Sequence, residues 1–498
     1  MNQIKAGAVL NYIIIALNTL VGLAYTPYMI RCLGQNEYGL YSLVASVIAY
    51  LTILDFGFGN AIIRYTAKFR AENREQEQWE MFGMFLIVYS FIGIIAFCGG
   101  LLLYSNVDLL FEHTMTENEI RQAQVMMMLL TFNLAFTFPL SIFGSIISAY
   151  ENFVFQRVVS IMRILLCTAV MIVVLAVGYK AIALVVVNTI FNLLTLVLNF
   201  FYCKRKLGIK IVFTKFDLTF LKEIIIFSFW IFLNAIMDRI YWGTGQFVLG
   251  AEIGTAAVAV FSIAIMLQQM YMQFSVSIVN VLLPRLTAMV ANNSSDKQIS
   301  DLFIKTGRIQ GLIMSLILSG FIVFGKGFIS KWAGEEYGGS YYISIIFFVA
   351  LFIPLVQNVG INILQARNQM RFRSLLYLVI SLASLGLQVL FSRLWGAVGC
   401  AFAVGLALII GQGIIMNIYY QVKQKIDIVL FWKEIGKILI IPTILTFIGI
   451  ILSSYINYGN LINMTVGIIV FTGIFVFLTW RFAMNDYEKN IVLGFIRR

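Results

Sequence analysis

About 20 apolar residues in a row make a helix long enough to cross the hydrocarbon core of a bilayer, and this chain repeats such a run fourteen times. The runs cover residues 9–30, 38–62, 81–104, 122–149, 155–178, 181–202, 223–250, 254–284, 308–328, 340–365, 373–394, 396–419, 436–456 and 461–480. Only short loops remain for structure in water. Hydrophobic residues make up 61% of the chain and charged residues 12%, against about 25% charged in a soluble domain. The expectation is an all-α polytopic membrane protein. The first run is too long for a signal-peptide core and lacks a cleavage site, so it reads as the first span. Cys32, Cys98, Cys167, Cys203 and Cys400 show no CxxC spacing, which points away from a metal site and from a disulfide framework.

The net charge of +12 is better explained by loop placement than by a nucleic-acid partner. Basic residues cluster at Arg64–Arg74, Lys204–Lys222, Arg367–Arg373 and Lys423–Lys437, in alternate loops. The acidic loop with Asp108, Glu112, Glu117 and Glu119 falls on the opposite side. Basic loops stay in the cytoplasm, so both termini are expected there.

An internal repeat organises the spans. Leu17-Asn18 and Leu33-Gly34 return, at one common spacing, as Leu233-Asn234 and Leu249-Gly250. Arg64-Tyr65-Thr66-Ala67 returns as Arg285-Leu286-Thr287-Ala288, and Pro139-Leu140 as Pro354-Leu355, at nearly the same offset. The expected division is an amino-terminal lobe of six spans (1–203), a cytoplasmic amphipathic linker (204–222), a second six-span lobe (223–425), and two further spans with a cytoplasmic tail (426–498). Duplicated transporters place their substrate between the halves. Two connections, 63–80 and 209–222, mix basic and apolar positions; interfacial helices and solvated loops are both open there.

No enzyme motif stands out. There is no Walker loop, the lone His113 lacks a metal partner, and the loops 105–121 and 329–339 are short for a catalytic domain. No catalytic residue, metal or cofactor is expected. Polar stripes at helical spacing are more informative. They are Asn11, Asn18 and Tyr25; Asn133, Thr137, Ser141 and Ser145; Asn234, Asp238, Tyr241 and Gly245; Gln269, Gln273, Ser277 and Asn280; and Asn358, Asn362 and Gln365. Any single stripe reads as interhelical hydrogen bonding. Five of them, on helices paired by the repeat, favour a polar cavity.

Four ionisable residues lie well inside the spans: Asp55, Arg163, Asp238 and Arg239. A charge at mid-bilayer costs roughly 2.5–3.5 kcal/mol even on the lenient scale, so such groups face protein or water. Arg239 is roughly 25 Å along its helix from Lys222. Asp238 and Arg239 point about 100° apart and do not form a simple mutual pair. Arg163 lies nearer a helix end, where it serves equally as an interface anchor. Asp55 and Asp238 are the candidates for ion linkage.

The run LGQNEYGLYSLVASVIAYLTILDFGFGNAIIRYTAKF, residues 33–69, resembles the first hairpin of Wzx-type oligosaccharide flippases of the multidrug/oligosaccharidyl-lipid/polysaccharide exporter superfamily. Leu33-Gly34, Tyr38-Gly39-Leu40-Tyr41, Asp55-x-Gly57 and Ala61-x-x-Arg64 carry the likeness. The resemblance implies two six-helix lobes around a central cavity, working by alternating access on undecaprenyl-pyrophosphate-linked oligosaccharide in the bacterial cytoplasmic membrane. It implies Asp55 and Arg64 as coupling or gating residues. Asn18, Arg163, Asn234, Asp238, Arg239, Gln273, Asn280, Asn358 and Asn362 are the candidate substrate-binding residues. The partners that follow are that lipid-linked substrate, membrane lipid, Na+ or H+, and a polysaccharide polymerase with other assembly proteins. The rivals are a cation-coupled multidrug exporter of the same superfamily and a membrane enzyme of polysaccharide assembly.

Overall fold

The computed structural model describes residues 3–214, 216–280, 286, 288–289, 292, 294–456 and 458–496. Arg285 and Thr287, which belong to the repeat, lie outside the described residues. Every regular element described is helical. Twelve helices among the described residues are long and apolar enough to cross a membrane. Contacts divide the chain into two compact units, residues 1–259 and 260–498.

The first unit runs α1 (Gln3–Leu33), α2 (Gln35–Leu51), α3 (Phe58–Ala71), α4 (Glu75–Ser105), the short α5 (Val107–Phe111), α6 (Glu117–Ala149), α7 (Phe153–Ala176), α8 (Ala181–Arg205) and α9 (Leu218–Glu252). Its centre is α6, which packs on α2, α3, α4 and α8. Small residues let these backbones approach. A Cβ on Gly93 would stand 2.6 Å from the Ala135 carbonyl oxygen, so only glycine admits that crossing. Phe82, Phe85, Tyr89, Ile142 and Ile146 fill the interior. Thr116 and Glu119 form a capping box at the start of α6.

One expectation is corrected here, and two open readings are narrowed. The run 38–62 is not one helix: α2 ends at Leu51, a 3-10 turn covers Thr52–Asp55, and α3 begins at Phe58. Phe56 (φ 52°) and Gly57 (φ 70°) are left-handed, which breaks the helix at mid-span. Of the two readings left open for 209–222, the helical one does not hold over its first half. Residues 209–214 form a non-helical strap lying across α4. The Val212 N–H donates to the Trp79 carbonyl at 3.3 Å, and Lys210 lies over the Trp79 ring. A Cβ on Gly83 would fall 2.0 Å from the Val212 oxygen, so glycine in α4 makes room for the strap. Helix α9 then starts at Leu218, capped by Asp217. The run 63–80 is likewise divided, between α3 and α4 at residues 72–74.

The chain passes into the second unit within α10 (Thr255–Asn280) and continues through α11 (Asp296–Trp332), α12 (Gly339–Val356), α13 (Val359–Ala366), α14 (Arg371–Leu408), α15 (Met416–Val422), α16 (Ile428–Ser453), α17 (Leu461–Leu478) and α18 (Asp486–Ile496). The long helical stretch Arg371–Val422 turns at Trp395 and Gly396, whose φ of 61° suits only glycine well. That is where the sequence separates the runs 373–394 and 396–419. The central helix is α11, packed on α12, α16 and α17. Arg308 of α11 is buried and donates to Glu488 (2.6 Å), Glu434 (2.7 Å) and the Ala483 carbonyl (2.8 Å). Helix α18 is thereby tied to the core of the unit.

Candidate functional site

The break in the α2–α3 span exposes two sets of backbone groups that a continuous helix would pair. At its carboxyl end α2 tightens into the 3-10 turn Thr52–Asp55 before the chain turns, and at its amino end α3 begins with N–H groups that have no intrahelical partner. The aligned peptide dipoles make the first end partly negative and the second partly positive. Each end meets a side chain of the opposite sign. Asp55 accepts the Gly57 N–H and the Tyr89 hydroxyl, the latter at 2.8 Å. Arg239 of α9 donates to the hydroxyl of Thr52, the last residue of α2's end, at 3.4 Å. Thr52 in turn donates to the Ala49 carbonyl at 2.6 Å.

Helix α9 follows the broken span along its length. Near Lys222, Tyr65 donates to Glu223 (2.9 Å) and the Phe220 ring stands edge-on to Tyr65. At the break, Phe232 stacks on Phe56 with centroids 4.2 Å apart. Beyond it, the Tyr50 and Thr244 hydroxyls are 2.6 Å apart. Near its end, Thr114 donates to the Gly250 carbonyl at 2.7 Å.

The remaining candidates distribute as follows. Asp238 and Arg239 are exposed at mid-helix, and Asn18 is exposed on α1. Asn234 is half-buried and Arg64 is exposed on α3, its guanidinium 5.7 Å from the Tyr65 ring centroid. Arg163 is half-buried, one turn from Cys167, with no ion pair among the described residues. In the second unit Gln273 is exposed. Asn358 donates to Ser275 and Asn362 to the Val279 carbonyl, both at 3.3 Å. The Asn280 side chain lies outside what is described. The structure therefore joins Asp55 and Arg239 to one break, and ties Asn358 and Asn362 to α10 as interhelical bonds. Asn133 and Thr137 behave likewise, both bonded by Asn192 at 2.8 Å.

Thr52, Tyr89, Tyr50 and Thr244 were not singled out in the sequence. A signal for the break exists: Gly57 and Gly59 sit two apart inside an apolar run, right after Asp55. Among the described residues no three His, Cys, Asp or Glu converge as metal ligands, and all five cysteines are free.

A duplicated-looking, all-helical membrane chain with a broken span and charges held at the break is a transporter-type architecture. The chain belongs to the polysaccharide biosynthesis protein family, which matches residues 4–290. It is 28% identical over 117 residues to the putative O-antigen transporter of Salmonella typhimurium, a match that spans 24% of this chain and 26% of that protein. Solved structures share the fold over most of the length. The lipid II flippase MurJ, in an inward closed conformation, matches with a TM-score of 0.71 at 16% identity, covering 95% of this chain and 98% of that one. An inward-facing multidrug resistance MATE family transporter of the MOP superfamily matches with a TM-score of 0.68 at 13% identity, covering 83% and 95%. The polysaccharide-related family expected from residues 33–69 agrees with the family match, and the fold it implies agrees with the solved structures.

Proposed function

We propose that this protein is a flippase that moves undecaprenyl-pyrophosphate-linked oligosaccharide across the bacterial cytoplasmic membrane by alternating access. In this reading fourteen spans cross the membrane, with both termini in the cytoplasm. The lobes are 1–203 and 223–425, and residues 426–498 add two spans. The observation that carries it is Arg239: exposed at mid-helix, seated on the break, with no carboxylate in ion-pairing distance among the described residues. A guanidinium so placed binds a pyrophosphate through paired, charge-assisted hydrogen bonds. Exposed amides at membrane depth, Asn18 and Gln273, belong in water rather than lipid and suit sugar hydroxyls. The prenyl tail stays in the bilayer. Asp55 and Asp238 are the groups through which Na+ or H+ would couple.

The test is transport by purified protein in proteoliposomes. Arg239→Ala keeps its expression and thermal stability but loses flipping of the pyrophosphate-linked lipid; Arg239→Lys, which keeps the charge and loses the planar fork, is intermediate. Wild-type flipping by Arg239→Ala removes the reading. Because a multidrug transporter shares the fold, an organic cation is assayed in parallel. Coupled transport of that cation, with none of the lipid, reassigns the protein.

A further inference from the structure

Arginine has five donor hydrogens. Among the described residues Arg239 gives one hydrogen bond, to Thr52, and that one is long at 3.4 Å. The Thr52 hydroxyl is held in place by its own short bond to the Ala49 carbonyl, which leaves its lone pairs free to accept. Thr52 also closes α2, so the partly negative carbonyl end of that half-helix lies beside it. The phenol oxygen of Tyr50, two residues before Thr52, is fixed by the Thr244 hydroxyl at 2.6 Å.

We propose that Thr52 is a positioning residue of the headgroup site: it seats the Arg239 guanidinium at the helix break and leaves its other donors for phosphate oxygens. The proposal rests on Arg239 being the pyrophosphate's anion site. The physical reason is entropy. An arginine side chain carries much rotamer freedom, and whatever is fixed beforehand is not lost on binding. A carboxylate would fix it too, but would compete with phosphate for the same donors. One hydroxyl and a dipole end give direction without occupying the charge. The helix break is what supplies the dipole end, since a continuous α2–α3 helix would present no carbonyl end at this depth.

The variants are Thr52→Val, which keeps the shape and removes the acceptor, and Thr52→Ser, which restores it. The probe is undecaprenyl pyrophosphate, with the full-length protein in proteoliposomes. Thr52→Val is expected to raise KM by ~3- to 10-fold with kcat within about twofold, and Thr52→Ser to return it to the wild-type value. A second measurement is independent of turnover: the rise in unfolding temperature caused by the same lipid shrinks in Thr52→Val, but Thr52→Val has no further effect on it in an Arg239→Ala background. An unchanged KM in Thr52→Val, with flipping lost in Arg239→Ala, overturns the positioning role and leaves Arg239 in place. An equal effect of Thr52→Val with and without Arg239 also overturns it. Wild-type transport by Arg239→Ala removes the underlying reading itself.

Discussion

Two arginines in this chain sit at opposite extremes, and each explains the other. Arg308 is 4% exposed and spends its donors on Glu488, Glu434 and the Ala483 carbonyl. Glu434 is held a second time by Lys437, and Glu488 also accepts the Asn485 N–H at 3.0 Å. Nothing is left over for a ligand. Arg239 is exposed, holds one hydroxyl at 3.4 Å, and leans on a helix end. The first is a rivet between helices; the second is a cation kept available. The state of their donors separates them.

The largest effect expected from breaking this comparison is on the rivet. Glu488→Ala leaves Arg308 buried with one of its two carboxylates gone, and removing one member of a buried ion network costs about 3–5 kcal/mol. Thermal unfolding of the detergent-purified protein should drop accordingly, with the loss starting in the second unit. Arg239→Ala should leave the same unfolding curve almost unmoved. Equal destabilisation by the two would mean that Arg239 is a rivet as well.

The backbone of the break comes next. Gly57 stands at φ 70°, in the left-handed region, where an L side chain costs roughly 1–2 kcal/mol. Gly57→Val is expected to destabilise by about that much and to reduce transport, because straightening the span pulls Thr52 and Asp55 away from the two dipole ends. Tyr89→Phe should cost roughly 1–3 kcal/mol through the half-buried carboxylate it stops serving. If Gly57→Val transports normally, the break is not part of the site.

Much of this was legible in the sequence. Apolar run length locates the helices, because a bilayer imposes nearly the same length on each crossing. It also separates α6 from α7, and it finds the turn at Trp395-Gly396. The charges Asp55 and Arg239 stand out because charge inside an apolar run is costly. What apolar run length does not record is a break. Residues 52–57 are as apolar as a helix would need, and only the glycine spacing and the left-handed Phe56 betray the turn. Thr52 and Tyr89 were invisible for the same reason: hydroxyls in spans usually bond their own helix, as Thr443 does with Leu439. The Arg308 network was hidden because its partners are far apart in sequence and lie near the ends of apolar runs, where charges are ordinary. The strap at 209–214 stayed open between helix and loop because its mix of basic and apolar residues fits an amphipathic helix equally well. Its contacts with Trp79 and Gly83 are tertiary and leave no local pattern.

A small change in stability is expected from Asp55→Asn, and it is the sharpest test of what Asp55 does. The carboxylate accepts the Tyr89 hydroxyl and the Gly57 N–H, and an asparagine oxygen at the same place accepts both. What it loses is the negative charge at the amino end of α3, worth about 0.3–1 kcal/mol, or up to ~2 in a partly buried setting. The unfolding temperature should therefore shift by only a few degrees. Transport is a separate matter. If Asp55 only caps the half-helix, Asp55→Asn transports at close to the wild-type rate and keeps any dependence on pH or sodium. If Asp55 also couples an ion, the neutral variant folds normally and loses that dependence, since the amide takes up neither a proton nor the charge of a cation. The same pair of assays on Asp238→Asn decides whether coupling sits at the break or on α9. A neutral outcome for both variants excludes coupling through these two acids and leaves Asp55 as the structural counterpart of Arg239, each neutralising one end of the broken helix.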